Sequence, residues 1–385
     1  MSDVVHNIDK FQYGNIKGCS TSHYLIKLLD DVYKGIDTPN NLAVITLVDF
    51  RKAFDLVDHS VAIRELFALG CRYSILPVVI DFLTGRKHQV LYGESVSDYQ
   101  EITCGVPQGT KLGPIIFLCL VNSIAQNLPT HVKFVDDLAL AEIVKTSNCI
   151  TFTMQRSLNT VSAECAEVLV IINPIKCEIL IACPSKRPIV YPDFSINDVH
   201  LPYVTETKLL GVYLNSNLNW DTHIDFILKK VRKCIFILYR AKQFRFSTDT
   251  MFTMYAWFIR TSLEYAIPVW HPGISSVHSV RLERIQKRCF KIILGNQYTD
   301  YDSALLRFKT TTLEKRRIKL CYKFANNILK SPRHRHLFPP SFQDIHNHDT
   351  RGRRAGRLMP SVKCNRARYF NSSVPYMVRM LNSQN

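Results

Sequence analysis

The chain has 385 residues, 46% of them hydrophobic, and a formal net charge of +17 at pH 7, a composition typical of a globular protein with a sizeable core. No apolar run reaches the roughly 18 residues of a membrane span, and no signal peptide opens the chain, so we expect neither a membrane protein nor a secreted one. The twelve cysteines include no C-x-x-C pair, which argues against a disulfide framework and a cysteine zinc site and favours a cytoplasmic or nuclear location.

Charge is distributed unevenly along the chain. Residues 1–221 contain 18 Lys and Arg against 23 Asp and Glu, a balance of −5, whereas residues 222–385 contain 31 against 9, a balance of +22. This asymmetry predicts a partner with a dense negative backbone, most simply nucleic acid. A basic surface without a dedicated partner is the alternative.

The first predicted elements are a helix and a buried strand. Ser20 or Thr21 can cap a helix that runs to about Tyr33. Leu42–Val48 is a short apolar run rich in β-branched residues, which is typical of a strand buried on both faces. The strand ends at Asp49, so the sequence places a carboxylate directly after a buried element.

Helices, a strand pair and a glycine-rich turn are predicted between residues 59 and 128. Gly and Pro mark the turn, and the apolar run after it predicts a helix. In chain order these elements are helices near His59–Leu69 and Ser74–Leu83, strands at His88–Tyr92 and Tyr99–Cys104, the turn Gly105–Thr110, and a helix from about Lys111 to Leu128.

Two adjacent aspartates interrupt the next apolar stretch, His131–Ala141. The pattern predicts strand, tight turn and strand, with Asp136 and Asp137 at or beside the turn. Adjacent like charges repel, and a divalent cation neutralises them well because hard cations prefer carboxylate oxygen. With Asp49, three carboxylates at strand ends could hold two Mg²⁺ ions about 3.5–4 Å apart, as nucleotidyl transfer needs. A solvated Asp-Asp turn is the alternative.

The remaining chain predicts more sheet and then helices with basic faces. A helix at residues 150–168 and a strand at Lys176–Ala182 add to an antiparallel sheet backed by helices. From Asp221 onward, apolar residues follow helical spacing with basic residues between them. One helix carries a basic stripe spaced three and four residues apart, which suits a phosphate track, although a solvated face is the alternative; the stripe consists of Arg281, Arg284, Arg288 and Lys291.

Residues 331–368 combine Pro, His and Arg and predict a loosely packed basic segment. It contains Arg351, Arg353, Arg354 and Arg357. Histidines in this region do not predict a metal site, because no Cys or carboxylate set completes the geometry; they are His334, His336, His346 and His348.

Five sequence motifs in this order resemble those of reverse transcriptases from non-LTR retrotransposons, the LINE and jockey-like elements. The first is VDFRKAFDLVDH (Val48–His59), the second GVPQGTKLGPIIFLCLVN (Gly105–Asn122) and the third FVDD (Phe134–Asp137). NPIKCEILI (Asn173–Ile181) and KLLGVYLNSNLNWDTHI (Lys208–Ile224) are similar to the two that follow. The resemblance covers almost the whole chain and includes the tail, YFNSSVPYMVRMLN (Tyr369–Asn382). It also implies a short hairpin at Thr207–Leu214 that holds the primer end.

The resemblance implies an α+β fold: a right-hand polymerase palm, an antiparallel sheet backed by helices, with partial fingers, followed by an α-helical thumb and a C-terminal helical region. We expect domains at residues 1–221 (partial fingers and palm), 222–330 (thumb and following helices) and 331–385 (basic C-terminal segment). Gln12-Tyr13-Gly14 and Gly18-Cys19-Ser20-Thr21 resemble the family's glycine-rich turn before a helix. More polymerase precedes this point in the family, including early fingers strands, so we expect Met1 to mark an N-terminal truncation.

The resemblance also implies roles for individual residues in RNA-directed DNA synthesis. Asp49, Asp136 and Asp137 would be catalytic and, with the backbone carbonyl of Phe50, would hold two Mg²⁺ ions, for which Mn²⁺ can substitute. Phe54 matches the aromatic residue that favours deoxynucleotides. Residues expected to contact the dNTP or template are Gln108, Gly109 and Lys176.

The expected partners are therefore an RNA template, a DNA primer and dNTP. An inactive truncated remnant that only binds nucleic acid is the first alternative. A protein-interaction scaffold is the second, and the +22 charge of residues 222–385 argues against it.

Overall fold

The computed structural model describes residues 4, 6–146, 152–183, 189–342 and 357–383, and the chain divides into two compact units. The first comprises Met1–Val32 and Asn40–Val204, and the second Tyr33–Pro39 and Thr205–Asn385. The three predicted domains are not tested by this division and stay a prediction. Among the described residues, no helix is both long and apolar enough to cross a membrane. The following predicted features lie outside the described residues: Arg351, Arg353, Arg354, His346 and His348.

The elements up to Val204 are mostly those predicted. In chain order they are α1 (Thr21–Ile36), β1 (Asn41–Val48), α2 (His59–Ala68), α3 (Leu76–Leu83), β2 (Lys87–His88), β3 (Leu91–Tyr92), β4 (Ser95–Val96), β5 (Gln100–Glu101), α4 (Leu112–Leu120), β6 (His131–Phe134), β7 (Asp137–Lys145), α5 (Met154–Glu167), β8 (Glu178–Ala182), β9 (Ser195–Ile196), β10 (Val199–His200) and β11 (Tyr203–Val204).

A five-stranded sheet in the order β11-β8-β1-β7-β6 is the centre of the first unit. Its pairings are antiparallel except for that of β11 with β8, which is parallel. Both faces of β1 are covered, because Leu42, Ala43, Val44 and Ile45 are all fully buried. This burial on both faces explains the continuous apolar run in the sequence. On one face, alternate residues of β1 and β7 pack with residues of α4 and α5 in a single core.

The helix predicted to run from Lys111 to Leu128 ends early, at Leu120. Residues after it find hydrogen-bond partners elsewhere in the unit. Glu164 accepts a hydrogen bond from the amide of Ala125 (2.7 Å), and the Lys133 ammonium donates to the carbonyls of Asn122 and Ile124 (2.8 Å each). These side chains satisfy backbone groups that would otherwise need a helix, so the chain turns away without leaving polar groups unpaired.

The second unit begins with a β-hairpin and continues as helices, as predicted. Its strands are β12 (Glu206–Leu209) and β13 (Val212–Asn215), and its helices are α6 (Asp221–Gln243), α7 (Thr248–Met254), α8 (Thr261–Glu264), α9 (Ile267–Trp270), α10 (Ser276–Leu294), α11 (Tyr301–Arg307), α12 (Leu313–Lys330), α13 (Ala367–Phe370) and α14 (Ser373–Ser383). Between α7 and α8, Tyr255–Arg260 form a π-helix.

Polar side chains begin four of these helices. Ser247, Ser275, Asp300 and Thr312 each accept a hydrogen bond from a backbone amide in the first turn of the helix that follows. Each cap satisfies an amide that has no partner within its helix. The caps therefore set where α7, α10, α11 and α12 begin.

Candidate active site

Strand register brings two of the predicted catalytic aspartates to neighbouring positions. In the β1–β7 pair, Val48 lies opposite Leu138, so the next step along each strand sets Asp49 opposite Asp137. Side chains of opposed residues project from the same face of a sheet, and here that face is opposite to the one carrying Val48 and Leu138. Asp136 lies in the turn between β6 and β7, where Phe134 pairs with Asp137.

Burial and neighbouring carboxylates affect the ionisation of Asp136 and Asp137. Asp136 and Asp137 are exposed at the turn, but nearby protein atoms still remove part of the water around each carboxylate. This loss of solvation is the largest cause of the pKa shifts at both residues. Loss of solvent, followed by the charges of Asp136 and Asp49, raises the pKa of Asp137 to about 6. Loss of solvent also raises the pKa of Asp136; a backbone hydrogen bond opposes this shift and the charge of Asp49 adds to it. The site therefore concentrates negative charge that lacks full compensation.

The donor set fits a hard divalent cation. Among the described residues, the buried Asp49 Oδ2 has no hydrogen-bond partner, and the Nζ of Lys176 lies 4.0 Å from it. A carboxylate oxygen in this state gains from an added cation. As the side chains stand, the described residues include no group of three or more His, Cys, Asp or Glu that converges on one point suitable for a metal ion. Binding would therefore need the aspartate side chains to turn towards a common point.

Residues 171–177 lie directly beside Asp49. Asn173 donates its amide to the Asp49 carbonyl (2.8 Å), and Arg51 donates its amide to the Ile171 carbonyl (2.7 Å). These two bonds form the bridge between Phe50 and Ile172 and do not use the Phe50 carbonyl. Cys177 is buried, and its Sγ accepts a hydrogen bond from the Asp49 amide (3.4 Å). The fourth motif thus supports the backbone on which Asp49 is held.

Replacing Asp137 with Asn should stabilise the protein when no divalent cation is present. A carboxyl whose pKa is raised on folding contributes stability below its unfolded-state pKa, and loses that stability as the pH rises through about 6. Asp137→Asn should therefore raise the free energy of unfolding at pH 7.5 by about 1 kcal/mol, after allowance for solvent screening, and leave it nearly unchanged at pH 4.

Amide hydrogen exchange in β1, β6 and β7, measured in EDTA across pH 4–8, checks this prediction. Asp81→Asn, on the exposed face of α3, is the matched control and should show no such pH-dependent difference. Equal protection of Asp137→Asn and wild type at pH 7.5 would contradict the electrostatic account.

The turn of the second motif packs against residues that follow Asp49. The Val106 amide donates to the Phe54 carbonyl (2.9 Å). Gly105 has φ +79°, and a Cβ there would lie 2.6 Å from the Asp55 carbonyl oxygen. Glycine at this position permits the close backbone approach, as the sequence of the turn leads one to expect. Gln108 donates to the Asp55 carboxylate (3.1 Å).

The other residues predicted to contact substrate, Phe54, Gly109 and Lys176, differ in burial and in their neighbours. Phe54 is half-buried and stacks on Phe117, with ring centroids 4.6 Å apart, so the part of its ring that remains exposed is held in one orientation. Gly109 has φ +78°, and nothing lies within 4 Å of the position of a Cβ. Lys176 ends a short 3₁₀ turn, Pro174–Lys176, before β8 rather than lying within the predicted strand.

A buried ionic cluster supports β6 and was not recognised from the sequence. The Asp9 carboxylate accepts hydrogen bonds from His131 (2.7 Å) and Lys133 (2.8 Å), and all three residues are buried. Burial opposes ionisation of Asp9, but its bonds to His131, Lys133 and the Phe11 amide prevail and hold the pKa of its carboxyl well below 3.8. A lysine within an apolar strand was the only available signal, and it does not identify a partner 124 positions away.

The basic stripe of α10 is only partly available for binding. Arg284, Arg288 and Lys291 are exposed. Arg281 is half-buried and bonds to Asp225 (2.5 Å), which offsets its charge. Lys287, which was not predicted, is exposed between them, and its ammonium lies over the Tyr301 ring, 4.8 Å from the centroid.

Comparison with known proteins identifies the family. The family model described as reverse transcriptase (RNA-dependent DNA polymerase) matches residues 1–214, which is more than half of the chain. The chain belongs to the reverse transcriptase family. The predicted membership and the α+β class are confirmed, and the five-stranded sheet is the palm of this reverse transcriptase domain. Reverse transcriptases generally use divalent metal ions, which agrees with the donor set around Asp49.

Curated relatives come from mobile elements of flies. The chain is 26% identical over 254 residues to the 115 kDa protein of the type-1 retrotransposable element R1DM of Drosophila melanogaster, covering 65% of this chain and 24% of that protein. It is 26% identical over 310 residues to the RNA-directed DNA polymerase from mobile element jockey of Drosophila funebris, covering 76% and 33%. The reverse transcriptase domain is thus of the LINE-like type, and the chain spans about a quarter to a third of these relatives' lengths.

Among solved structures, apo telomerase from Candida tropicalis is similar to 85% of this chain. The match covers 52% of the telomerase chain, with 11% sequence identity and a TM-score of 0.42.

Proposed function

We propose that this reverse transcriptase domain acts as an RNA-directed DNA polymerase. The 3′-OH of a DNA primer, paired to an RNA template, attacks the α-phosphorus of a dNTP in line; the new P–O bond forms as the bond to pyrophosphate breaks, and the hydroxyl proton is released. The observation that carries the proposal is the register of β1 and β7, which sets Asp49 opposite Asp137 beside Asp136. This arrangement supports the roles carried over from the five motifs.

The aspartates and one backbone carbonyl would hold two Mg²⁺ ions, or Mn²⁺ in their place. Asp49, Asp136 and Asp137 would hold the ions, together with the carbonyl of Phe50. When bound, such ions lower the pKa of the 3′-OH and neutralise the triphosphate. The chain itself contributes by fixing these oxygens on two adjacent strands, because catalysis of this kind depends mostly on positioning and electrostatics.

Residues around the aspartates would select and hold the dNTP. Lys176 is exposed beside Asp49, and its ammonium would bind a triphosphate oxygen. Gln108 and Gly109 lie on the exposed turn of the second motif, where a backbone without a side chain lets the nucleotide and template approach closely. The exposed part of the Phe54 ring would exclude the ribose 2′-OH.

Loss of the Phe54 ring should admit ribonucleotides. Phe54→Ala removes the group proposed to clash with the 2′-OH, so the ratio of kcat/KM for dNTP over rNTP should fall roughly 10- to 100-fold, the range of steric discrimination in an apolar pocket. Single-nucleotide extension on an RNA template measures the ratio. Phe117→Ala, which removes the ring stacked on Phe54, is the control for altered packing. A Phe54→Ala enzyme with the wild-type sugar preference would rule out the proposed role.

Nucleic acid should contact the basic face of α10, defined as Arg284, Arg288 and Lys291. Contacts to phosphate are mostly sequence-independent, and each one contributes ~0.9 to the slope of log K against log salt on duplex DNA. Replacing all three residues with Gln in the full chain should flatten the slope by up to about 2.7 and weaken binding to all sequences alike.

Arg281→Gln is the matched control for this set, because its charge is already offset by Asp225. It should change the salt slope less than any of the three exposed positions. Fluorescence anisotropy over a salt titration gives both slopes. An unchanged slope in the triple variant would show that this face does not bind phosphate.

Primer extension on an RNA template is the decisive experiment for the proposed function. We expect incorporation of dNTP with Mg²⁺ and none after chelation by EDTA. The alternative, a remnant that only binds nucleic acid, predicts salt-sensitive binding of a primer–template without extension. A protein-interaction scaffold predicts neither binding nor extension.

A further inference from the structure

The turn that carries Asp136 has an unusual backbone. Val135, the residue directly before Asp136, has φ +61°. A β-branched residue is a genuine outlier in this left-handed region, and such a conformation persists only where the surroundings enforce it. The position of the Asp136 carboxylate therefore depends on whatever holds Val135.

One buried side chain holds the amide of Val135. The Oε1 of Gln12 accepts a hydrogen bond from the Val135 amide (3.0 Å) and a second from the Gly14 amide (2.8 Å). Gln12 is 1% exposed, so these two donors would have no water to replace it. A single amide oxygen thus joins the segment before α1 to the turn of the β6–β7 hairpin.

The same segment also pairs with the backbone of β6. The Tyr13 amide donates to the Lys133 carbonyl (2.8 Å), and the Lys133 amide donates to the Phe11 carbonyl (2.9 Å). These bonds form a parallel bridge between Gln12 and Lys133. The segment is thereby fixed in register with β6, and the Gln12 side chain points at the turn from a constrained position.

Gly14 permits the close approach that this contact requires. A Cβ on Gly14 would lie 2.4 Å from Val135 Cγ2 and 2.6 Å from the Val135 amide nitrogen. Its φ is not among the positive values, so here glycine provides space rather than conformational freedom. Any side chain at position 14 would push the turn away from its present place.

We propose that Gln12, with Gly14 beside it, is a positioning residue that holds the Val135–Asp136 turn so that the Asp136 carboxylate faces the divalent cation. The proposal rests on the proposed function, in which Asp136 binds that cation. Gln12 acts through the backbone of Val135 and does not touch the metal or the substrate.

The test compares Gln12→Met with a matched variant in the same unit. Methionine keeps the approximate length and volume of the side chain but lacks the accepting oxygen. Gln155 makes the same type of bond elsewhere in the unit, since its Oε1 accepts a hydrogen bond from the Ser195 amide (2.9 Å). Gln155→Met therefore controls for the loss of a hydrogen bond from a backbone amide to a glutamine side chain that is remote from the aspartates. Mn²⁺ binding to the full chain, followed by electron paramagnetic resonance, is the first readout and requires no catalysis.

We expect Gln12→Met to weaken Mn²⁺ binding roughly 10- to 100-fold, the usual cost of removing a residue that orients a metal ligand. The rate of extension should fall by a similar factor, with little change in KM for the primer–template. Gln155→Met should bind Mn²⁺ as the wild type does. Amide hydrogen exchange in β1 and β7 reports whether the two variants remain equally folded.

Two further variants separate positioning from folding. Gln12→Glu retains an accepting oxygen and should recover most of the Mn²⁺ affinity that Gln12→Met loses. Gly14→Ala leaves Gln12 intact but displaces the turn, so it should weaken Mn²⁺ binding as Gln12→Met does.

The outcomes distinguish this proposal from the function on which it rests. If Asp136→Asn weakens Mn²⁺ binding and Gln12→Met does not, positioning by Gln12 is refuted while the metal site stands. If Asp136→Asn leaves Mn²⁺ binding unchanged, the metal role of Asp136 fails and the positioning role fails with it. The proposal would also be overturned if Gln12→Met and Gln155→Met weakened Mn²⁺ binding equally, because the loss would then not depend on the contact with Val135.

Discussion

Asp136→Asn should lower DNA synthesis by roughly 1,000-fold or more, because a carboxylate that holds a catalytic cation supports several kcal/mol of transition-state stabilisation. The substitution keeps the shape of the side chain and removes its charge. Folding should be preserved, since Asp136 is exposed at the turn and its removal relieves repulsion with Asp49 and Asp137. The loss should therefore lie in catalysis rather than in stability.

Extension of a labelled primer on an RNA template, under single-turnover conditions, measures this effect. Asp81→Asn is the matched control, being the same chemical change at an exposed position of α3, and should retain full activity. Primer–template affinity should be similar in all three proteins when measured without divalent cation. Synthesis by Asp136→Asn at the wild-type rate would show that this carboxylate takes no part in the reaction.

Lys133→Met should destabilise the first unit by about 3–5 kcal/mol, because removing one member of a buried ion pair leaves its partner uncompensated. The Asp9 carboxylate would keep His131 but lose the ammonium 2.8 Å away. The carbonyls of Asn122 and Ile124 would also lose their donor. Lys87→Met is the control, since Lys87 forms only an exposed pair with Glu101 at 3.8 Å, and should cost no more than about 1 kcal/mol.

This destabilisation should depend on pH in a defined direction. The pKa of the Asp9 carboxyl is lowered on folding, so its contribution to stability is present above the unfolded-state pKa of about 3.9 and is lost as the pH falls towards the folded-state value. The difference between Lys133→Met and wild type should thus be largest at pH 6–8 and shrink near pH 3. Amide hydrogen exchange in β6 and β7 during urea titration measures it, and a pH-independent difference would contradict the ionic account.

The local sequence pattern was sufficient to predict the strands and the turn that carry the aspartates. The apolar run before Asp49 and the Asp-Asp turn predicted β1 and the β6–β7 hairpin, since burial of alternating or continuous apolar residues decides strands. Apolar spacing likewise predicted the helices after Asp221, whereas the hairpin of β12 and β13 was predicted from the family resemblance. The roles of the individual site residues stay predictions, because they were carried over from motifs.

Long-range contacts could not be read from the sequence. Helix α4 ends at Leu120 because Glu164 and Lys133 satisfy backbone groups that follow it, and local propensity carries no information about those partners. Gln12 belongs to a recognised motif, yet nothing in its neighbours identifies the Val135 amide as its partner. Tertiary hydrogen bonds of this kind override the local helix and strand propensities of the residues involved. They also fix the position of the turn before Asp136, which local sequence patterns do not determine.

The central position of β1 has a consequence for synthesis of the chain on the ribosome. Its two partners are β7, which begins at Asp137, and β8, which ends at Ala182. Until these segments emerge, an apolar strand with two unpaired edges is exposed, the type of surface that aggregates or recruits chaperones. Nascent chains that stop before β7 should therefore be held by chaperones, and the palm becomes a folded unit only after translation passes Ala182.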